Sequence, residues 1–164
     1  MEEVVLMLGS NLNDKERYIK EALQLLRQSL KCLRTSSKYT SKPCGFKSEN
    51  DFINVAALFE CEVSPDKLLT EIIKVENKLG RVRKSEVRYT DRTIDIDIIL
   101  FGNKLINTHD LIIPHPRFHL RNFCLQPMNE IVPNKFVPGF NKTVNDIYSE
   151  AKRVESIDGN YDKV

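Results

Sequence analysis

Residues 94–100 combine the alternation of a β-strand with two aspartates, and this combination limits the folds open to the chain. Side chains along a strand point alternately to its two faces. One face would therefore be apolar and carry Ile94, Ile96, Ile98 and Leu100. The opposite face would carry Asp95, Asp97 and Ile99. The pattern predicts a sheet with one apolar face and one face that holds two carboxylates.

Asp95 and Asp97 favour a metal site over an ordinary solvent-exposed strand face. Residues two apart on a strand lie roughly 6.5–7 Å apart, so their carboxylates can converge on one site. A half-exposed strand would also present polar residues. However, aspartate is a poor strand former, and two on one face repel each other. Since paired metal ions about 3.5–4 Å apart suit such carboxylates, we expect divalent metal here.

A basic loop directly precedes the two aspartates. Residues 80–92 hold five cations and two acids, namely Arg81, Arg83, Lys84, Arg88 and Arg92 against Glu86 and Asp91. A polyphosphate with bound magnesium needs both kinds of group, because carboxylates bind the metal and cations neutralise the phosphate oxygens. The sequence therefore predicts a polyphosphate site at this junction.

Composition bounds the class of protein. The 164 residues are 41% hydrophobic and 29% charged, which fits a single domain over residues 1–164 with a loose polar tail from about residue 155. A net charge of +2 is too small to favour bulk binding to nucleic acid or membrane. The acidic N-terminus is unlike a signal peptide, and the four cysteines show no zinc-binding spacing. We therefore expect a cytoplasmic protein with free thiols.

Hydrophobic periodicity predicts the element order β-α-β-β-α-β, followed by shorter elements. Strands are expected over residues 4–8, 33–39, 52–61 and 94–100, and helices over about 14–30 and 64–80. Asn13 and Ser64 read as N-caps of these helices, and Gly80 as the glycine that ends the second. This order is typical of an α+β, ferredoxin-like fold with an antiparallel sheet.

Two helices would then cover the isoleucine face, and the other face would be the site face. That face would carry Phe52 and Asn54 beside the two aspartates. Asn54 would bond either to nearby loop backbone or to a ligand, and the pattern alone does not decide between these. The C-terminal extension contains a hairpin turn at Gly102-Asn103, short strands at 105–106 and 111–113, and a short amphipathic helix at 123–131. The rest, with a helix at 143–154, is expected to be peripheral.

Two further polar residues have alternative interpretations. Glu76 lies in the last turn of the second helix, where the helix dipole disfavours an anion. It is therefore expected to face solvent unless it meets the arginines that follow. His115 is fixed between two prolines near Arg117 and Arg121, so it is a candidate hydrogen-bond donor to phosphate.

Several motifs together resemble one enzyme family. They are GSN at residues 9–11, YTSKPCG at 39–45, DFINVAALFE at 51–60, GRVRK at 80–84, DRTIDIDIILFG at 91–102 and IPHPRFHLRNF at 113–123. In this order and spacing they resemble 6-hydroxymethyl-7,8-dihydropterin pyrophosphokinase of the folate pathway, over roughly residues 4 to 140. The resemblance implies transfer of the β,γ-pyrophosphoryl group of ATP to the pterin hydroxymethyl group, with release of AMP.

The resemblance also implies roles for individual residues. Asp95 and Asp97 would hold two magnesium ions, and Arg81 and Arg92 would be catalytic. The nucleotide would be contacted by Glu76, Arg83, Lys84, Ile98, His115 and Arg121. The pterin would be bound by Ser41, Pro43, Cys44, Gly45, Phe52, Asn54 and Phe123, with Phe52 and Phe123 on either side of the ring. Catalysis would consist mainly of positioning and charge neutralisation.

The chain departs from the family pattern at three places. Tyr89 stands where many members carry tryptophan, and Thr90-Asp91 replaces a more apolar pair. Cys44 stands where an aliphatic residue is common, which places a thiol near the pterin. None of these departures affects Arg81, Asp95 or Asp97.

Two rival functions compete with this interpretation. A metal-dependent nucleotidyl or phosphoryl transferase on a palm-like fold would also use two strand carboxylates, but it would need a broader basic surface. An RNA-binding module would place aromatic residues on the sheet face, where the two aspartates would repel phosphate without metal. The expected partners are therefore ATP and the pterin rather than nucleic acid or membrane. The chain would act as a monomer or as one domain of a multifunctional folate enzyme.

Overall fold

The structure is a computed structural model that describes residues 1–81 and 90–158, with side chains described as far as residue 154. An antiparallel sheet of five strands forms its centre. The strands are β1 (Glu2–Ser10), β2 (Lys31–Thr35), β3 (Tyr39–Ser41), β4 (Phe52–Cys61) and β5 (Asp95–Phe101). They lie in the order β2-β4-β1-β5, and β3 also pairs with β4. The two central strands are therefore the most apolar ones, and β5 lies at an edge.

Two helices cover one face of the sheet. They are α1 (Lys15–Leu26) and α2 (Pro65–Lys78), and each connects two strands of the sheet. Their apolar residues form a core with Ile94, Ile96 and Ile98, as the alternation predicts. The arrangement is the ferredoxin-like fold expected from the element order.

The ends of the helices follow their capping residues, with one difference. Ser64 accepts a hydrogen bond from the Lys67 N–H at the start of α2, and Gly80 follows its end with φ +84°, as predicted. At α1 the cap is Asp14, which accepts from the Arg17 N–H at 3.2 Å. The prediction of Asn13 as cap is wrong, because Asn13 adopts a φ of +56° and turns the chain one residue earlier.

A bulge in β5 changes the predicted alternation. Leu6 of β1 lies opposite Ile98 and Val5 lies opposite Leu100, so Ile99 is an extra residue on β5. An inserted residue shifts the phase of a strand. Ile99 and Leu100 therefore both pack away from α1 and α2. The prediction that Leu100 shares the face of Ile98 is wrong for this reason.

The face that carries the aspartates is half covered by a second apolar core. It is built by α3 (Asn122–Ile131), α4 (Val144–Asp158) and a 3₁₀ turn at Phe118–Leu120. Phe118, Leu125 and Met128 are fully buried there against β1, β4 and β5. The expectation that the helix at 143–154 is peripheral is therefore wrong, because Val144, Ile147 and Ala151 of α4 are buried in this core. The helical backbone of α4 also continues beyond residue 155, where a loose tail was expected.

The remaining short elements complete the connections. The segment predicted as one strand over residues 33–39 is divided into β2 and β3, because Ser36 between them exchanges hydrogen bonds with Ala56. β6 (Ile106–Asn107) pairs with β7 (Ile112–Ile113), and β8 (Phe136–Val137) pairs with β9 (Lys142–Thr143). Within the described ranges, no helix has both the length and the apolar character to span a membrane.

Candidate active site

The edge strand β5 places Asp95 and Asp97 on the open part of the sheet face. Asp95 pairs with Gly9 and Asp97 with Met7 of the central strand β1. Both carboxylates line two adjoining cavities, one polar and one partly aromatic. The predicted pair of neighbouring carboxylates is therefore present at an accessible position.

Asp95 is held by two arginines of the basic segment. Arg81 Nη1 lies 2.8 Å from one carboxylate oxygen of Asp95, and Arg92 Nη1 lies 3.3 Å from the other. Arg81 and Arg92 are both largely buried, with side chains 15% and 10% exposed. Ion pairs that are shielded from water are screened little by salt. Asp95 thus fixes two guanidinium groups beside the open cleft.

Glu76 lies behind this cluster and is fully buried. It accepts hydrogen bonds from Arg81 Nη1 and, at 3.1 Å, from the backbone N–H of Ile96 on β5. Glu76 meets one of the following arginines, which is the stated exception to its facing solvent, because the glycine turn after α2 brings Arg81 back onto the last helical turn. Burial works against the charge of Arg81, but Asp95 and Glu76 together keep its pKa above the ordinary value. Glu76 therefore orients Arg81 from inside the protein.

Asp97 is in a different electrostatic environment from Asp95. Desolvation and the neighbouring Asp95 raise the pKa of Asp97 to about 7, although Arg121 lowers it in part. A buried carboxylate beside another carboxylate resists ionisation until a cation compensates it. Asp97 is thus a position that gains from a bound cation.

His115 is fixed against the edge of β5 as a neutral imidazole. Its backbone N–H donates to the Ile99 carbonyl at 3.0 Å. Burial, with Arg121 and Arg117 nearby, lowers the pKa of His115 to about 4. The Arg117 N–H donates to His115 Nδ1 at 3.1 Å, so the ring proton is on Nε2. His115 Nε2 is therefore a neutral hydrogen-bond donor.

These groups line one polar cleft. It is bounded by Arg81, Arg92, Asp95, Asp97, His115 and Arg121, with Pro116 and Arg117 at its rim. The cations in this list outnumber the carboxylates, so the cleft suits an anion. Among residues 1–81 and 90–158, no group of three histidine, cysteine or acidic side chains could hold a metal alone. A metal here would need further oxygen ligands from elsewhere.

The adjoining pocket contains most of the predicted pterin residues. Its walls include Ser41, Cys44, Phe52, Asn54 and Phe123, which are brought together from β3, β4, α3 and the loop after β3. Pro43 and Gly45 belong to the same loop but do not line the pocket. Gly9 forms the floor, where an added Cβ would lie 3.2 Å from Asn54 Oδ1. A larger residue at Gly9 would therefore press on the Asn54 amide.

Asn54 hydrogen-bonds to the neighbouring strand β3 and also lines the pocket. Asn54 is 3% exposed, and its Nδ2 donates to Ser41 Oγ at 2.7 Å. A longer contact of 3.5 Å joins the same atom to the Tyr39 carbonyl. Local strand partners therefore satisfy part of the amide, while Asn54 still lines the pocket.

Phe46 is a pocket residue that the sequence reasoning missed. Its ring lies edge-on to Phe52 with centroids 6.3 Å apart. The Arg92 guanidinium lies 5.8 Å from the Phe46 centroid and 5.5 Å from that of Phe52. The sequence feature that could have indicated this residue is a single phenylalanine within an otherwise polar loop. Phe46 adds an aromatic edge to the pocket and links it to Arg92.

Ile98 does not fit the nucleotide contact that the resemblance implies for it. Its side chain is 4% exposed and packs in the core with α1 and α2, on the opposite side of the sheet from the cleft. Alternate residues of a strand direct their backbone groups to the same edge. Ile96 directs its N–H to Glu76 at the outer edge of β5, so the backbone of Ile98 faces the same edge. Only this backbone, and not the Ile98 side chain, can contact a ligand there.

Asn11 joins the segments that build the two cavities. It is 1% exposed, and its Nδ2 donates to Asp91 Oδ1 at 2.7 Å and to the Asn50 carbonyl at 3.2 Å. Asn50 in turn donates to the second oxygen of Asp91 at 3.1 Å. The loop of residues 42–51 and the segment that carries Arg92 thus meet at one buried side chain. Arg83, Lys84 and Tyr89 lie outside the described residues.

Comparisons with known proteins agree on one family. The model of the family described as 7,8-dihydro-6-hydroxymethylpterin-pyrophosphokinase (HPPK) matches residues 5–133. A 2-amino-4-hydroxy-6-hydroxymethyldihydropteridine pyrophosphokinase of Bacillus subtilis is 41% identical over 126 residues, which cover 76% of this chain and 74% of the relative. The bifunctional protein FolKE of Lactococcus lactis is 38% identical over 138 residues, which cover 83% of this chain but 39% of that protein.

The fold is also found among solved structures. The wild-type HPPK-DHPS of Plasmodium falciparum superposes with a TM-score of 0.73 at 16% sequence identity. The match covers 95% of this chain and 46% of that longer one. At this identity the likeness concerns the fold.

Proposed function

The chain belongs to the 7,8-dihydro-6-hydroxymethylpterin-pyrophosphokinase family, and we propose how its own residues perform the reaction of that family. It is an ATP-dependent pyrophosphokinase of folate biosynthesis that transfers the pyrophosphoryl group of ATP to 6-hydroxymethyl-7,8-dihydropterin. The acceptor is the pterin hydroxymethyl group, and AMP is the part of ATP that remains. The reaction is thus that of the family, and not the nucleic-acid transferase or RNA-binding module considered above.

One observation carries the assignment of the site. The polar cleft and the aromatic pocket share Arg92, Asp95, Asp97 and Arg121. A pyrophosphoryl group must pass from a nucleotide to a flat ring, so donor and acceptor sites have to adjoin at the transferring phosphorus. We assign ATP to the cleft and the pterin to the pocket, with transfer at the shared boundary.

Asp95 and Asp97 are the residues that would hold magnesium. Magnesium is usually bound by one or two carboxylates, with substrate phosphates and water as the other ligands. That matches a site with two neighbouring carboxylates and no third protein ligand among the described residues. Two bound ions, held by Asp95 and Asp97, would supply positive charge that stabilises the transferring group. The raised pKa of Asp97 supports this fit, because a cation compensates the charge that burial disfavours.

The cations of the cleft would hold and neutralise the phosphates. Arg81 and Arg92 are preoriented by Asp95, and Arg121 lies at the boundary with the pocket. His115 donates from Nε2 without adding charge. Planar guanidinium groups bind phosphate oxygens through two parallel hydrogen bonds. Arg83 is proposed to contribute in the same way, and Lys84 as a point charge.

The pocket would hold the pterin as a flat ring between aromatic faces. Phe52 and Phe123 are proposed to stack on it, and Asn54 and Ser41 to bond its polar edge. Aromatic walls bind a flat ring with little loss of side-chain freedom. Backbone groups of residues 41–45 would complete the hydrogen bonds, with Cys44 beside the ring.

In the transfer step, the hydroxymethyl oxygen gives up its proton to water and attacks the β-phosphorus of ATP. The bond between that phosphorus and the oxygen bridging to the α-phosphorus breaks, and AMP leaves. The protein contributes by alignment and by fixed positive charge, since phosphoryl transfer needs little covalent help. All the residues named come from one chain. We therefore propose a monomeric catalytic unit, alone or within a larger folate enzyme.

A cytoplasmic location is proposed on a separate ground. The four cysteines are free, although several lie in the interior. Thiols of this kind suit a reducing compartment.

The first experiment measures nucleotide products. The protein is incubated with Mg-ATP, with and without 6-hydroxymethyl-7,8-dihydropterin, and AMP and ADP are separated by chromatography. Release of AMP that depends on the pterin, without ADP, supports the proposal. Formation of ADP would place the attack at the γ-phosphorus, and no turnover would contradict the proposed site.

A further inference from the structure

A carboxylate outside the candidate site ties the last turn of α3 to the sheet. Glu130 accepts hydrogen bonds from the Ser37 N–H at 3.1 and 2.9 Å to its two oxygens. Ser37 Oγ and Tyr39 Oη donate to it at 2.7 Å each. We call Ser37, Tyr39 and Glu130 the Tyr39–Glu130 clamp. Its members lie on two different elements, because Tyr39 is the first residue of β3 and Glu130 lies in the last turn of α3.

The clamp lies at the surface, where Ser37 and Glu130 are exposed and Tyr39 is half-buried. Its hydrogen bonds converge on one ionised acceptor, and bonds to an ionised group are roughly twice as strong as neutral ones. The bond to Glu130 raises the pKa of Tyr39 to about 12. Partial burial opposes the charge of Glu130, but the bonds from Ser37 and Tyr39 keep its pKa below the ordinary value.

β3 is a short strand of the central sheet. It has three residues and, among the described strands, pairs with β4 alone, through Tyr39 opposite Asn54 and Ser41 opposite Phe52. So short a strand gains little from backbone pairing alone. Ser41 Oγ accepts the hydrogen bond of Asn54 Nδ2, so a shift of β3 would move the polar edge of the pocket.

The other end of α3 forms the opposite wall. Phe123 lies in its first turn and lines the pocket. At about 1.5 Å per residue, Phe123 and Glu130 are roughly 10 Å apart along the helix axis. The clamp therefore ties the helix that carries Phe123 to the strand that carries Ser41.

We propose that Tyr39 and Glu130 are positioning residues for the pterin. They hold β3 and α3 at the separation that admits the ring between Phe123 and the edge formed by Ser41 and Asn54. The clamp touches neither the polar cleft nor its arginines. Its role is therefore confined to pterin binding and rests on the assignment of the pocket to the pterin.

The test compares Tyr39→Phe with the wild-type protein. This change removes one oxygen and keeps the ring. We expect the KM for 6-hydroxymethyl-7,8-dihydropterin to rise about fivefold, as for the loss of one exposed hydrogen bond of ordinary strength, with little change in kcat or in the KM for ATP. Glu130→Gln keeps one acceptor oxygen and should show a smaller rise than Glu130→Ala.

A matched control removes a different tie to α3. Arg34 Nη1 on β2 donates to the Ile131 carbonyl at 2.9 Å, one residue beyond Glu130 and without involving β3. Arg34→Met should lower the melting temperature to a similar degree and leave the pterin KM unchanged. Equal pterin effects in Arg34→Met and Tyr39→Phe would overturn the proposal, as would a Tyr39→Phe protein that is less stable but has an unchanged pterin KM.

A binding measurement separates this inference from the proposed function. The oxidised analogue 6-hydroxymethylpterin is titrated into each protein by calorimetry, in the presence of magnesium and a non-hydrolysable ATP analogue. Wild-type binding with equal affinity in Tyr39→Phe would contradict the clamp alone. No binding by the wild-type protein would contradict the pterin pocket itself, and the clamp with it.

Discussion

Asn11 and Arg92 exchange two hydrogen bonds at the base of the active site. The Asn11 N–H donates to the Arg92 carbonyl at 3.2 Å, and the Arg92 N–H donates to Asn11 Oδ1 at 2.8 Å. With its Nδ2 on Asp91 and Asn50, Asn11 connects the backbone of a phosphate-site arginine to the pterin loop. A change at Asn11 should therefore disturb both substrates.

The first prediction concerns Asn11→Asp. This change keeps the acceptor for the Arg92 N–H but turns the donor that faces Asp91 into a second carboxylate oxygen. We expect a loss of ~2 kcal/mol in the free energy of unfolding, because a buried hydrogen bond becomes a repulsive contact. Steady-state kinetics should show a higher pterin KM together with a lower kcat.

Asp91→Asn provides the matched control for that change. In the Asn11→Asp background it restores a donor on the opposite side of the same contact, so stability and kcat should recover in part. A double variant as impaired as the sum of the two single variants would contradict a direct interaction between residues 11 and 91.

The second prediction is that Asp95→Asn and Asp97→Asn abolish turnover with opposite effects on stability. Both changes remove a proposed magnesium ligand, so kcat should fall at least ~100-fold. Asp95→Asn should lower the melting temperature, because Arg81 and Arg92 lose their shared partner. Asp97→Asn should raise it at pH 8, because ionising this carboxylate beside Asp95 opposes folding.

Thermal unfolding without metal, together with AMP release, checks this prediction. Asp110, which is exposed beside His109, gives the control variant Asp110→Asn with unchanged activity and stability. Full activity in either of the other two variants would remove the metal assignment.

The third prediction concerns the buried Glu76. Glu76→Ala removes the inner partner of Arg81 and the acceptor of the Ile96 N–H, so it should cost about 3 kcal/mol in stability. If Glu76 acts through Arg81, kcat should fall more than tenfold while the pterin KM stays within about twofold of wild type. Urea unfolding and initial rates provide both measurements.

Glu71 offers a control on the same helix. It is an exposed residue of α2 that pairs with Lys74 at 2.9 Å, so Glu71→Ala should be nearly neutral in both measurements. A loss of activity in Glu76→Gln that Glu76→Ala does not share would argue against a role through Arg81.

The fourth prediction follows from the low pKa of His115. The unfolded chain binds a proton on this histidine near pH 6.5, whereas the folded protein does so only near pH 4. Between these values the unfolded state holds more protons, so stability falls as the pH is lowered. After allowance for solvent screening, His115 should account for ~2 kcal/mol of this loss.

The measurement for His115 compares urea unfolding at pH 7 and pH 5 in the metal-free protein. His115→Asn should reduce the difference in unfolding free energy between the two pH values. His119 also has a lowered pKa caused by burial, so some dependence on pH will remain. Identical pH dependence in wild type and variant would contradict the assignment.

Much of the fold could be predicted from local pattern. The alternation of Ile94, Ile96 and Ile98 and the caps at Ser64 and Gly80 are local signals, and the structure confirms them. The position of Leu100 could not be predicted, because a bulge depends on the pairing partner and not on the strand itself. The second core was missed because its residues meet only after α3 and α4 fold back on the sheet.

The site shows the same division. Asp95 and Asp97 could be recognised from their spacing. The family motifs that fall within the described residues lie together at the site face of the sheet. The burial of Glu76 and the hydrogen bonds of Asn11 depend on contacts between distant segments, such as the bond between Asn11 and Arg92, which are 81 positions apart. The resemblance implies a nucleotide contact for Ile98, but its side chain lies on the face of β5 that packs against α1 and α2.

The extra residue in β5 gives one strand two independent functions. Before the bulge, positions 95–98 are constrained by ligand chemistry on one side and by α1 and α2 on the other. After it, Ile99 and Leu100 are constrained only by the shape of the second core. A regular strand would have kept Ile99 on the carboxylate face and turned Leu100 toward α1 and α2. The bulge instead directs two successive apolar side chains into the second core, so the strand that holds the carboxylates also anchors the layer of α3 and α4.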